Sequence, residues 1–270
     1  RKTNHRKYLV LVMWEEESER GSVQLKRGEF ALALKTFDCV LVREPSIKPR
    51  LWQRGLACFY AARFSQGVDQ FESDMQVNSA DFEEAIWHCL CNVPLVGLGV
   101  AREKKLVCSS GDVRVPMKQI YNLFAGSGNE EDVVKAISQV PATPPENMIP
   151  QENPAGLDIT LITPFDAKQA QYYAYLYFSL YRWMIGDISN SVSFAYKALS
   201  VPPSSDFMGQ LCQAHVSFVT SEQKQQGAEL LCAQCFRRGN FSYACSMCKT
   251  TRYCSKSCQK RNWKRHKIAC

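Results

Sequence analysis

The sequence lacks any apolar run long enough to cross a bilayer. A membrane-spanning helix needs about 20 consecutive apolar residues, whereas no such run here, including the N-terminal one at residues 8–14, exceeds seven. Glutamates follow that run directly at positions 15–17, where a secretory signal would carry small residues for cleavage. We therefore predict neither a transmembrane protein nor a signal peptide. With 46% apolar and 22% charged residues, the 270-residue chain has the composition of a globular protein with one large or two modest cores.

Acidic residues are missing from residues 230–270, a segment that carries ten Lys or Arg. The rest of the chain has 23 basic and 26 acidic side chains, a net charge of −3. The sequence thus divides into a weakly acidic body and a strongly basic C-terminal segment.

The chain has thirteen cysteines, an odd number, whereas a fully paired disulfide framework requires an even number. Seven of the thirteen cysteines lie between positions 232 and 270. The other six are scattered through apolar stretches, as buried free thiols are: Cys39, Cys58, Cys89, Cys91, Cys108 and Cys212. We therefore expect a reducing compartment, which places the protein inside the cell, in the cytoplasm or the nucleus.

An internal repeat of 34 residues is present in the N-terminal part. Four pairs of positions share this spacing: Gly21 with Gly55, Phe30 with Phe64, Ala33 with Gly67, and Phe37 with Phe71. Each unit is predicted to be two antiparallel helices, with small residues where the helices cross and aromatic rings in the groove between them. In the first unit, residues 27–29 form the turn and Pro45 ends the second helix.

A third unit is predicted to begin near Tyr172, with its turn at Gly186 and Asp187 and its end at Pro202 and Pro203. Over residues 14–79 and 172–203 the chain resembles the tetratricopeptide repeat family. This resemblance implies an all-α solenoid of helical hairpins whose concave surface holds a peptide or another protein. A generic helical bundle is the alternative.

The predicted organisation has four segments. Tandem repeats occupy residues 14–80, helices and a proline-rich linker residues 81–165, a further repeat with a capping helix residues 166–222, and a small C-terminal module residues 230–270. Within the second segment, helices are expected at 81–91, 116–124 and 129–139. The aromatic-rich stretch 169–183 is interpreted as an inner helix that packs against its neighbours, and residues 206–218 as a helix covering the end of the stack.

The C-terminal module follows the pattern C-x2-C-x9-C-x2-C-x5-C-x3-C-x7-H-x3-C. Eight soft ligands at this spacing predict two tetrahedral zinc sites, formed by Cys232, Cys235, Cys245, Cys248, Cys254, Cys258, His266 and Cys270. Metal binding also explains how so short a segment folds with little apolar surface. A disulfide knot is the alternative, and the spacing alone allows either sequential or interleaved pairing of the ligands.

Residues around these ligands, namely Tyr253, Ser255, Gln259 and Trp263, resemble those of the MYND-type zinc finger. The resemblance implies interleaved coordination, with Cys232, Cys235, Cys254 and Cys258 on one ion and Cys245, Cys248, His266 and Cys270 on the other. Both zincs would be structural, because no coordination position stays open for water. The resemblance also implies that the finger binds proline-containing peptides beside the last helix. There Gln259 would offer hydrogen bonds and Trp263 a flat apolar platform, unless Trp263 only packs inside the finger.

No catalytic constellation is recognisable in the sequence. The stretch 97–99 lacks the third glycine of a dinucleotide loop, and His88 beside Cys89 is interpreted as a pair of core residues. We therefore predict a non-enzymatic adaptor whose repeats bind one protein and whose finger binds a proline-containing peptide of another, without contact to membranes. The alternatives are a nucleic-acid-associated regulator that uses the basic residues at 256–267, and a fragment of a SET/MYND lysine methyltransferase.

Overall fold

The computed structural model describes residues 2–109, 112–142, 164–202, 206–225, 230–235, 237–239, 241, 243–247 and 251–267. Helices dominate, and four very short strands occur near the C-terminus. The predicted fold class, all-α helical repeats followed by a small finger, is confirmed. Among the described helices, none combines the length and the hydropathy that a membrane crossing requires.

The elements fall into a helical array, α1 to α11, and a finger, β1 to α12. The array consists of α1 (Lys2–Lys26), α2 (Phe30–Arg43), a 3-10 helix (Pro45–Arg50), α3 (Trp52–Tyr60), α4 (Phe64–Asp74), α5 (Phe82–Val96), α6 (Leu98–Glu103), α7 (Met117–Ala125), α8 (Glu130–Ile137), α9 (Ala167–Met184), α10 (Ile188–Ser200) and α11 (Phe207–Gln225). The finger consists of β1 (Leu230–Leu231), β2 (Arg238–Gly239), β3 (Tyr243–Ala244), β4 (Arg252–Tyr253) and α12 (Lys256–His266).

The 34-residue repeat corresponds to a repeated packing contact. In the first hairpin, α1 and α2, a Cβ added to Gly21 would lie 2.7 Å from the ring of Phe37. In the second, α3 and α4, a Cβ added to Gly55 would lie still closer to the ring of Phe71. Glycine is therefore present at both positions because the phenylalanine ring of the partner helix occupies the space of a side chain.

Three helix turns repeat the same backbone geometry. Gly28, Ala62 and Gly186 all have positive φ, at +78°, +55° and +84°. At each turn this residue donates its N–H to the carbonyl three residues earlier, and the next residue donates to the carbonyl five residues earlier. This is a common way to end a helix and reverse the chain. Since Ala62 stands 34 residues after Gly28, the turns have the same spacing as the sequence repeat, with alanine at the position that glycine occupies in the first turn.

The helix predicted at 81–91 is longer than expected. Asp81 caps it as predicted, because its side chain accepts a hydrogen bond of 2.8 Å from the N–H of Glu83. The helix then continues through Pro94 and ends only at Gly97. The apolar pattern persists beyond position 91, and a proline in the last turn removes a single hydrogen bond. The helix predicted at 206–218 likewise extends to Gln225.

The aromatic helix α9 lies inside the array, as predicted. Its buried rings are those of Tyr172, Tyr173, Tyr177, Phe178 and Trp183. His88 and Cys89 are core residues as well. The prediction of six buried cysteines is wrong for Cys39, which is exposed because it lies on the outer face of α2, and Cys108 is half-buried.

The last helix of the array contacts its beginning. Helix α11 packs against α1 as well as against α9 and α10, and the ring of Phe218 contacts Phe30 and Phe59. The helix expected to cover one end of the stack therefore also joins that end to the first repeat. Residues 143–163 of the proline-rich linker and Pro203 lie outside the described residues, and the four segment boundaries stay predictions.

A buried polar network joins α11 to α3 and α9. His215 of α11 is hydrogen-bonded through Nδ1 to the hydroxyl of Tyr60 at 3.0 Å and through Nε2 to the hydroxyl of Ser179 at 2.8 Å. Burial lowers the pKa of His215 to about 3, so the ring is neutral at pH 7. The sequence had indicated no partner for this histidine.

Candidate metal centre

Two small hairpins position the first pair of cysteines. Strands β1 and β2 pair antiparallel, with Leu231 opposite Arg238, and Cys232 follows β1 directly. The N–H of Cys232 donates to the carbonyl of Arg237 at 3.0 Å. The N–H of Ala233 donates to the carbonyl of Arg252 in β4 at 2.9 Å. This second bond ties the loop of Cys232 and Cys235 to the strand that leads into Cys254.

Helix α12 positions the other two cysteines of this site, Cys254 and Cys258, which are the third pair in the sequence. Ser255 precedes the helix and caps it, because its hydroxyl accepts a hydrogen bond of 3.2 Å from the N–H of Cys258. Cys254 and Cys258 are then separated by one turn of the chain, which brings their side chains to the same side. Their Sγ atoms are 3.4 Å apart.

The four thiols converge on a single point. The Sγ atoms of Cys232, Cys235, Cys254 and Cys258 all lie within 4.8 Å of one another, with Cys235 and Cys254 3.5 Å apart. A zinc ion with Zn–S bonds of about 2.3 Å has sulfurs at the corners of a tetrahedron whose edges are about 3.8 Å. The geometry and the all-sulfur donor set therefore fit zinc. This grouping joins the first and third cysteine pairs, as interleaved coordination requires.

Backbone dipoles favour a thiolate in this cluster. Burial raises the pKa of Cys232, but hydrogen bonds from the backbone at Cys254, Cys235 and Gln234 outweigh this effect and lower it to about 7. Burial raises the pKa of Cys235 and of Cys254. A bound cation would provide the positive charge that keeps all four sulfurs deprotonated.

The second predicted site is only partly described. Cys245 is buried just after β3, and its N–H donates to the carbonyl of Thr251 at 2.9 Å. His266 ends α12, and its ring lies 6.3 Å from that of Tyr253. Cys248 and Cys270 lie outside the described residues. The second ion and its four ligands therefore stay predictions.

Tyr253 and Asn262 lock the finger together. Tyr253 is fully buried and donates its hydroxyl proton to Oδ1 of Asn262 at 3.2 Å. The amide of Asn262 donates in turn to the carbonyl of Ala233 at 3.0 Å. Helix α12 is thus bonded to the loop that carries Cys232. Sequence reasoning missed Asn262, although its position four residues after Cys258 places it on the same, buried helix face.

Gln259 and Trp263 lie one helical turn apart on α12. Trp263 is 39% exposed and Gln259 is half-buried. The indole ring lies 6.1 Å from the ring of His266, so part of it packs inside the finger while the rest is accessible. The two roles considered for Trp263 are therefore compatible.

A backbone contact joins the metal centre to the helical array. The N–H of Leu98, at the start of α6, donates to the carbonyl of Cys235 at 3.0 Å. Gly97 has φ +84°, and a Cβ at this position would lie 3.0 Å from the same carbonyl. Only glycine fits here without strain. The stretch 97–99, which does not match a dinucleotide loop, is the position where the finger docks.

One serine–histidine pair elsewhere resembles a nucleophile with its base. Ser179 and His215 are at hydrogen-bonding distance, but both are fully buried. A buried hydroxyl of this kind cannot meet a substrate. The pair therefore stabilises the packing of α9 against α11.

Comparison with known proteins identifies the C-terminal segment. Residues 232–270 match the family model described as the MYND finger. The finger is therefore of the MYND type, a zinc-binding module that mediates protein interactions and is not itself catalytic. N-lysine methyltransferase SMYD2-B of Danio rerio is 46% identical over 41 residues, which cover 15% of this chain and 9% of that protein. The similarity thus spans less than a tenth of the methyltransferase.

Proposed function

We propose that this protein is a non-enzymatic adaptor, in which the helical array binds one protein and the finger binds a proline-containing peptide of another. The observation that carries this proposal is the closed set of four thiols beside an accessible tryptophan. Four protein ligands leave a tetrahedral ion no position for water or substrate, so the metal has a structural role. This surface is therefore proposed to bind a partner rather than to catalyse a reaction.

The peptide site is assigned to Gln259 and Trp263. Proline rings pack well on a flat indole face, and a glutamine amide can bond the peptide backbone beside it. Both side chains project from α12, which has Cys258 in its first turn and Cys254 two residues before its start. Metal binding therefore holds the platform rigid, which lowers the entropic cost of capturing a peptide. The finger is proposed to hold two zinc ions, and the protein is proposed to reside in a reducing compartment.

The array is proposed to be a tetratricopeptide-like stack that holds the second protein. Support comes from the three hairpins whose turns share one hydrogen-bond pattern and from the repeated contact of glycine with phenylalanine. Because α11 packs against α1, part of the surface of the first hairpin is already covered by the chain itself. The partner of the array therefore binds to faces that α11 leaves accessible.

The experiment is a fluorescence-anisotropy titration of the zinc-loaded chain with a short labelled peptide containing proline–serine–leucine–serine–proline. We expect saturable binding that Trp263→Ala weakens by about 30-fold, as for a central aromatic contact. Tyr243→Ala is the matched control, since Tyr243 is a similarly exposed aromatic residue (41%) on β3 of the same finger. Equal affinity of the wild-type and Trp263→Ala proteins would refute the assignment.

The name of the methyltransferase relative suggests one competing function, a fragment of a lysine methyltransferase. It is tested separately by incubating the chain with S-adenosylmethionine and a lysine-rich histone mixture. The adaptor proposal expects no transfer of labelled methyl groups above the level without protein. Transfer that depends on the chain would establish an enzyme.

A further inference from the structure

We propose that the peptide bound by the finger is acidic, with Asp or Glu residues within about five positions of its proline. This inference rests on the proposed function, because it specifies the partner of the same site. The observation behind it is a ridge of lysines that borders Gln259 and Trp263, formed by Lys256 and Lys260 of α12 and by Lys267 directly after it.

Helix geometry places this lysine ridge beside the peptide site. Residues three or four apart on a helix are neighbours on its surface. Lys256 lies three positions before Gln259, Lys260 three before Trp263, and Lys267 four after Trp263. Lys267 follows the last residue of α12, but its N–H still donates to the carbonyl of Trp263, so it continues the helical turn. The opposite edge of the peptide site is formed by the buried residues Cys258 and Asn262.

The lysine ridge has no carboxylate partner within the finger. Lys256, Lys260 and Lys267 are exposed. None of them forms an ion pair with another residue in the described part of the chain. Residues 230–270 contain no Asp or Glu at all. An extended peptide along Gln259 and Trp263 would therefore meet three cations on its solvent side and no carboxylate side chain of the finger.

The length of the ridge sets the length of the acidic segment. From Lys256 to Lys267 there are eleven residue steps, or about 16 Å along the helix axis. An extended peptide covers this distance with about five residues. The complementary carboxylates must therefore lie close to the proline, because charges farther away than about 8 Å are screened at physiological salt.

An acidic peptide is favoured over a nucleic acid for two reasons. The site presents a single accessible tryptophan and a glutamine, whereas single-stranded nucleic acids are bound by several stacking rings along a groove. The finger is also docked through Cys235 on an array whose residues belong to the weakly acidic body of net charge −3. A long polyanion would extend beyond the short lysine ridge and meet this body, whereas a short peptide would not.

The test compares three labelled peptides on the zinc-loaded full chain. The first is the neutral proline–serine–leucine–serine–proline probe, the second carries two aspartates on each side of it, and the third keeps these aspartates but has glycine in place of both prolines. At about 50 mM salt we expect the second peptide to bind about tenfold more tightly than the first and than the third. At about 0.5 M salt this preference should fall to about twofold.

Lys256→Gln/Lys260→Gln should remove most of the preference for the acidic probe and leave the affinity for the neutral one unchanged. Lys35→Gln/Lys135→Gln is the matched control, since both lysines are exposed on the array and the net charge changes equally. It should retain the preference.

The outcomes separate the inference from the function on which it rests. Equal binding of neutral and acidic probes overturns the inference and leaves the peptide site intact. Failure of every proline probe to bind overturns the proposed function. Equal binding of the second and third probes, or displacement of the acidic probe by an oligothymidine more readily than by the unlabelled peptide, identifies a general anion site and overturns the inference.

Discussion

The helical array is held together by side-chain packing, whereas the finger depends on its metal. In the array one continuous cluster of buried apolar residues extends from α1 to α11. Among the described residues of the finger, the corresponding cluster has four buried members, three of which are the cysteines Cys232, Cys245 and Cys258. The fourth is Tyr253, and one buried tyrosine provides too little apolar surface to fold a segment of this size. Two regions of one chain thus use different sources of stability.

Chelation of zinc should produce the largest difference in folding between the finger and the array. Structural zinc contributes about 10–16 kcal/mol of apparent binding free energy in small zinc domains, so its removal should unfold the finger and leave the array folded. We expect native mass spectrometry to show the loss of two zinc ions while far-UV circular dichroism retains most of the helix signal. Collapse of the whole helix signal would mean that the array needs the finger in order to fold.

Substitution of Gly55 should have the converse effect. In Gly55→Ala the new methyl group would overlap the ring of Phe71, and overpacking of this kind costs about 1–3 kcal/mol. We expect the melting temperature of the array to fall while zinc stoichiometry stays unchanged. Gly99→Ala is the control, because no atom lies within 4 Å of a Cβ at that position. If the two variants melt alike, the repeated contact of glycine with phenylalanine carries no energetic weight.

Acid should weaken the array through His215. Its pKa is about 3 in the folded protein and about 6.5 when unfolded. The unfolded state therefore binds the proton first, and this contribution to stability is lost as the pH falls below about 6.5, by about 1.4 kcal/mol per pH unit. Urea titrations between pH 6.5 and pH 4.5 should show this slope.

His215→Leu provides the reference for that slope, because other buried groups titrate in the opposite sense. Burial raises the pKa of Asp74 to about 8 and that of Glu84 to about 9, so these carboxyl groups favour the folded state as the pH falls. Only the difference in slope between wild type and His215→Leu reports on the histidine. Parallel slopes would mean that His215 is protonated, or accessible, in the folded protein.

Local signals in the sequence predicted the repeat and the ligand pattern, and tertiary contacts account for what it did not predict. The spacing of Gly21 and Gly55 is a local property, because a helix that crosses closely needs a small residue whichever partner it meets. Periodicity identifies the buried face of a helix but not the element that covers it. For this reason the return of α11 to α1, the partners of His215 and the contact of Leu98 with Cys235 were not foreseen.

The junction at Gly97 links the two regions and should respond to a single methyl group. Gly97→Ala places a Cβ 3.0 Å from the carbonyl of Cys235 and forces alanine into a backbone conformation with φ +84°. Strain of this kind costs about 2 kcal/mol, which is enough to shift a docking equilibrium by more than tenfold. We expect faster hydrogen exchange at the amide of Leu98, with zinc retained. Gly99→Ala, two positions further along, should leave this exchange rate unaltered.

Unchanged protection of Leu98 in Gly97→Ala would show that the finger and the array associate through other contacts. Loss of zinc in the same variant would show instead that the docked array helps to shape the metal site.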